Sequence, residues 1–109
     1  MKKVPSQSLK SKVLFVVSTI PRSKVVTYGD VADKVGLISR TVGWIMASFT
    51  EEEFKNYPWH RVVGGGGTIP ALKYGFRGNV QIELLTQEGL TFTDSLKIVD
   101  FDRYRFKLS

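Results

Sequence analysis

The residues of this chain best suited to chemistry gather in one short stretch, Pro58-Trp59-His60-Arg61-Val62, which holds the single histidine of the 109-residue sequence. An imidazole in such a setting makes most chemical sense as the activator of a neighbouring nucleophile, and a cysteine beside it would serve. The neighbour is a tryptophan, and the chain contains no cysteine. Thiol catalysis, disulfides and thiolate metal sites are therefore excluded. One histidine is also a poor basis for a zinc site, so no metal or other cofactor is expected. The run Gly64 to Gly67 offers backbone freedom or close approach rather than phosphate binding. It lacks the Gly-Lys-Ser/Thr ending of a Walker loop and the glycine spacing of a dinucleotide fingerprint.

Composition bounds the scaffold that must position these residues. A chain of this length makes one domain, 1–109, burying roughly two-thirds of the surface its unfolded form exposes. Hydrophobic residues make up 42% and charged residues 24%, which is ordinary for a globular protein. Residues 13 to 20 are the most apolar stretch and follow four lysines. Polar residues interrupt them, no small-residue cleavage site follows Pro21, and no run approaches the roughly 20 residues that cross a bilayer. The stretch reads as a core helix of an intracellular protein with no membrane association.

The formal charge is +6, and Lys2, Lys3, Lys10, Lys12, Arg22 and Lys24 account for all of it. Such a basic segment would draw a polyanion and make its binding salt-dependent, although a solubilising face reads equally well from charge alone.

The elements read as mostly α with short strands. Leu9, Val13, Val16, Val17 and Ile20 fall at helical spacing and predict an amphipathic helix ended by Pro21. Residues 24–26 read as extended. Thr27 and Asp30 then form a Thr-x-x-acid helix start, and Gly36 suits a left-handed C-terminal cap. Ser39 is expected to cap the next helix, with Val42, Ile45, Met46 and Phe49 on its apolar face. Two short helices about a glycine turn predict helix-turn-helix, with a plain αα corner as the alternative. Arg40 lies near the start of the second helix, where side chains of this motif reach a groove. Residues 49 to 57 read as a polar, acidic segment whose Glu51, Glu52 and Glu53 face away from any DNA. Residues 61–63 are a predicted strand, and a helix is predicted from Asn79 past Leu84 and Leu85 to a stop at Gly89. Residues 90–92 and 96–99 read as short strands within an extended C-terminal segment, 90–109. There Tyr104, Phe106 and Leu108 alternate with Arg103, Arg105 and Lys107 as a strand or a tail with one apolar edge.

Four stretches fall in the order found in the C-terminal domain of the O6-alkylguanine-DNA alkyltransferases. Val25-Val26-Thr27-Tyr28-Gly29-Asp30-Val31-Ala32 resembles that family's entry into its helix-turn-helix, and Arg40-Thr41-Val42-Gly43 resembles its Arg-Ala-Val-Gly recognition helix. Pro58-Trp59-His60-Arg61-Val62 matches Pro-Cys-His-Arg-Val save for the tryptophan, and Leu84-Leu85-Thr86-Gln87-Glu88-Gly89 resembles Leu-Leu-x-x-Glu-Gly. The set spans most of a core at 25–89. It is most similar to the alkyltransferase-like branch, whose members replace the cysteine, often by tryptophan, and have no alkyltransferase activity.

The resemblance implies a winged helix-turn-helix-like single domain. It further implies a non-enzymatic, monomeric sensor that flips O6-alkylguanine out of double-stranded DNA and channels it to nucleotide excision repair proteins. Arg40 matches the arginine finger that fills the vacated stack, and Tyr28 matches the tyrosine that assists rotation of the 3′ phosphate. Thr41 stands beside the finger. Trp59 takes the nucleophile's place as an apolar wall, and His60 and Glu88 match the relay that activates the missing thiol. Arg61 belongs to the same binding segment, chiefly as a brace for its loop. Lys73 is placed among the DNA-binding residues; it or Arg77 would approach the alkyl pocket or a phosphate. The segment at 70–75 aligns poorly with the family's substrate-binding loop, and no asparagine hinge is identifiable in 49–57. The alternative is a general winged-helix DNA-binding or regulatory protein without lesion selectivity. A third class, an enzyme using His60 and Glu88 as general acid and base, has no nucleophile or metal cluster behind it.

Overall fold

The structure, a computed structural model, describes residues 5–73 and 77–108. Helix α1 (Pro5–Ser18) buries Val13, Val16 and Val17 and stops two residues short of Ile20. The hydroxyls of Ser18 and Thr19 donate back to the carbonyls of Phe15 and Val16 at 2.6 and 2.7 Å, offering the chain an alternative to a further helical turn.

Strand β1 (Val26–Thr27) leads directly into helix α2 (Tyr28–Val35). The change of structure is set by the predicted capping box: the Asp30 amide donates to the Thr27 hydroxyl at 2.9 Å, and the Thr27 amide donates to the Asp30 carboxylate at 3.0 Å. Gly36 ends the helix at φ 78°, a left-handed conformation that costs glycine nothing. Helix α3 (Ser39–Ala47) follows, completing the helix-turn-helix. Here Ser39 is not the cap: Ile38 occupies that extended position, and Ser39 is the first helical residue with no capping side chain before it.

The polar, acidic stretch at 49–57, to which the sequence assigned no element, is partly helical. It contains helix α4 (Glu51–Asn56), started by a Thr50–Glu53 capping box with bonds of 3.1 and 2.8 Å. The Thr-x-x-Glu signal was present in the sequence; the density of acids obscured it, although acids in a first helical turn favourably oppose the helix dipole.

After a 3₁₀ turn at Trp59–Arg61, strand β2 (Val62–Val63) pairs in parallel with β1, Val26 opposite Val62 and Thr27 opposite Val63. This two-stranded sheet is the joint of the molecule, because it sets the Trp59 turn beside the start of the helix-turn-helix. Successive strand residues face opposite sides, so Val26 and Val62 enter the core under α1–α3 while Val25 and Val63 enter a second core with Leu85 and Leu90.

A 3₁₀ turn at Pro70–Lys73 precedes helix α5 (Arg77–Gln87), which begins two residues before Asn79 and ends as expected near Gly89, at φ 100°. Gly75 and Tyr74 of the expected loop lie outside the described residues. The predicted C-terminal strands are not formed as such. Residues 90–99 make a single antiparallel bridge, Phe92 to Ile98, and Tyr104 closes the short helix α6 (Phe101–Tyr104) rather than a strand. Arg105 then bridges to Val25, and Phe106 and Leu108 lean on the first core, so an extended tail with one apolar edge describes 105–108. Period-two alternation cannot distinguish such a tail from a strand, because a strand also needs a continuous partner edge.

Candidate nucleic-acid interface

Glu88, at the C-terminal end of α5, is the hub of a buried polar network. His60 Nε2 meets its carboxylate at 2.8 Å, and Arg61 donates to both oxygens through Nε at 3.1 and 3.2 Å and through Nη2 at 2.7 Å. Arg61 Nη1 donates onward to the Ile20 carbonyl at 2.8 Å. The Ser23 amide donates to the same carboxylate at 2.9 Å, and its hydroxyl donates to the Glu88 carbonyl at 2.6 Å. Ser23 adopts φ 68° to do so, a left-handed strain offset by two hydrogen bonds. Burial would raise the Glu88 carboxyl, but hydrogen bonds from Arg61, His60 and Ser23 outweigh it and hold the pKa at about 2. Burial dominates at His60 and lowers its pKa from the ordinary value despite the carboxylate. An ionised carboxylate only accepts, so Nε2 carries the proton of the neutral ring.

Gln81, fully buried on α5, donates from Nε2 to the carbonyls of His60 and Val62 at 3.0 and 2.8 Å. It clamps the loop that carries Trp59. Sequence reading missed Gln81 and Ser23, since an isolated amide or hydroxyl carries no motif until tertiary structure gives it partners.

Trp59 is only 8% exposed and belongs to the core under α1–α3. Phe54 of α4 meets it edge to face at 5.5 Å, and the Arg77 guanidinium stacks 3.6 Å above the Phe54 ring and 5.7 Å from the indole. Phe54 is a third residue of the site that sequence reading missed, because 49–57 was read only as a polar, acidic segment. Two surface grooves, of about 550 and 670 Å³, lie against α2 and between α1 and α3, and Trp59 lines neither.

The remaining candidates sit apart from this network. Tyr28 is half-buried at the first position of α2, where burial raises its hydroxyl pKa. Arg40 is exposed at the second position of α3, and Thr41 is half-buried beside it. Lys73 is exposed at the end of its 3₁₀ turn. The basic N-terminal segment is partly engaged: Lys10 pairs with Glu53 at 2.9 Å, and Arg22 donates to the Gln87 carbonyl at 3.1 Å. Lys2 and Lys3 lie outside the described residues. Among the described residues no helix is long and apolar enough to cross a membrane, and no group of three or more His, Asp or Glu side chains is placed to hold a metal ion.

The family model for the DNA-binding domain of 6-O-methylguanine DNA methyltransferases matches residues 8–90. The chain is 36% identical over 101 residues to a DNA base-flipping protein of Escherichia coli, covering 91% of this chain and 74% of that one. It is 38% identical over 82 residues to alkyltransferase-like protein 1 of Schizosaccharomyces pombe, covering 73% of this chain and 74% of that one. The crystal structure of S. pombe Atl1 in complex with damaged DNA containing O6-carboxymethylguanine superposes with a TM-score of 0.80 at 30% identity, covering 98% of this chain and 99% of the other. With histidine, arginine and glutamate in direct contact on the loop that carries a tryptophan, and no cysteine, the chain belongs to the 6-O-methylguanine DNA methyltransferase DNA-binding-domain family, on its alkyltransferase-like branch.

Proposed function

We propose that this protein is a non-enzymatic sensor of O6-alkylguanine in double-stranded DNA, acting as an intracellular monomer that passes the lesion to nucleotide excision repair. The observation that carries the reading is the complete His60–Glu88–Arg61 network on the loop that also carries Trp59. The network positions the 59–62 loop with no thiol to activate, which favours holding a base over reacting with it. Arg40 is exposed at the start of α3, where a flat, permanently charged guanidinium can enter the stack a flipped base leaves. Tyr28 turns the phosphate, with Thr41 and Lys73 as further contacts.

The flipped base takes the place over Phe54 and Trp59 that Arg77 now covers. The contact is half-buried, and a cation–π contact is worth about 0.5–2 kcal/mol, no more than the few kcal/mol that base extrusion costs, so the cover is displaceable. Titration of duplexes with and without O6-methylguanine tests the reading. The lesion duplex is expected to bind more tightly and to keep its methyl group by mass spectrometry after long incubation. Equal affinities favour a general DNA-binding protein instead, and loss of the adduct or strand cleavage favours an enzyme.

A further inference from the structure

We propose that Trp44 is a further DNA-contacting residue, an apolar wedge that packs against the sugar walls of the groove entered by Arg40 and adds affinity for duplex DNA whether or not it is damaged. This rests on the placement of Arg40 proposed above. Trp44 is 66% exposed, whereas the chain's other tryptophan is 8% exposed. Among the described residues it stacks on no other aromatic ring. Val42 and Met46 turn α3 toward the core, and its outward positions are Arg40, Trp44 and Ala47, successive turns of one face. No acid occurs on α3. Four helical residues rise about 6 Å, close to two base-pair steps of about 3.4 Å, so an indole at 44 falls on the same groove as a guanidinium at 40.

The surroundings fit a polyanion with apolar walls. Trp44 forms one rim of the groove of about 670 Å³ between α1 and α3, shared with Leu14 and Ile45. The one acid lining it, Glu53, is neutralised by Lys10 at 2.9 Å. Gly43, next to the indole, has no neighbouring atom within 4 Å of where a Cβ would stand, so the backbone there is open to close approach. Large apolar side chains pressed into a DNA groove widen it and partly unstack its base steps, independently of any particular base.

Affinities of Trp44→Ala and Trp44→Phe for undamaged and O6-methylguanine duplexes test this. Trp44→Ala is expected to weaken both about tenfold, the range of a single stacked or wedged aromatic, with their ratio unchanged. Trp44→Phe is expected to keep most of the affinity. In Trp59→Phe, where Trp44 is the only tryptophan left, acrylamide quenching is expected to fall when undamaged duplex is added. Wild-type affinity in Trp44→Ala, or an indole still open to acrylamide in the DNA complex, overturns the proposal and leaves this face to a protein partner. Failure of the wild-type protein to bind either duplex overturns the underlying functional reading, and is visible before any variant is made.

Discussion

Glu88 takes a hydrogen bond from His60 Nε2 at 2.8 Å, and that contact joins the end of α5 to the turn that carries Trp59. The pair makes the fold sensitive to acid. Glu88 has a pKa of about 2 against an ordinary 4.5, so the unfolded chain binds that proton first. The stability it contributes is complete above pH 4.5 and is lost as the pH falls toward 2. His60 acts in the same direction: burial lowers its pKa below 6.5, so the unfolded chain gains that proton first as the pH drops through 6.5. Thermal melts are expected to show Tm declining in acid from about this point. Glu88→Gln is expected to cost about 3 kcal/mol at neutral pH, since it strands the Arg61 charge, and to flatten the decline below pH 4.5. An unchanged Tm at neutral pH contradicts the network.

Arg40 makes no salt bridge among the described residues and is exposed, so its removal is expected to leave Tm unchanged. Arg40→Ala is expected to shrink the ratio of lesion to undamaged affinity by about tenfold, a fraction of the extrusion cost the guanidinium offsets. Fluorescence anisotropy with labelled duplexes measures both affinities. A retained ratio places the finger elsewhere.

Trp59 requires a gentler change. Truncation to alanine in this core costs about 3–5 kcal/mol and confounds folding with binding. Trp59→Phe keeps an apolar ring while removing the second ring of the indole. It is expected to keep the fold by circular dichroism and to lower preference for the O6-methylguanine duplex. Undiminished preference removes Trp59 from the reading surface.

Arg77 covers the aromatic pair. In a Trp44→Phe background, which leaves Trp59 as the only tryptophan, Arg77→Ala is expected to raise acrylamide quenching of the indole at a stability cost of about 1 kcal/mol. Equal quenching in the two proteins excludes the cover.

Gly78 lets α5 approach the Pro70–Lys73 turn. A Cβ there stands 2.5 Å from the Leu72 amide nitrogen, backbone that cannot rotate away. Gly78→Ala is therefore expected to cost about 2 kcal/mol, readable by urea denaturation.

The sequence by itself determined the helix-turn-helix and the Pro58–Val62 and Glu88 positions that meet at the buried network. Thr27, Asp30 and Gly36 act within a few residues of one another, so their capping and turning are written locally, and α2 follows them. The absence of cysteine decided what Trp59 and His60 do not do. Tertiary structure decided the rest, because the remaining features depend on partners far along the chain. The β1–β2 pairing brings Thr27 to Val63, Glu88 gathers Ser23, His60 and Arg61, and Asp30 is gripped by Arg105 at 2.7 Å, fixing the tail that alternation alone had left open. Trp59 shows the division most plainly. Its identity and its motif were legible, but its burial under Phe54 and Arg77 required α4 and α5 to meet over it, which no local pattern encodes.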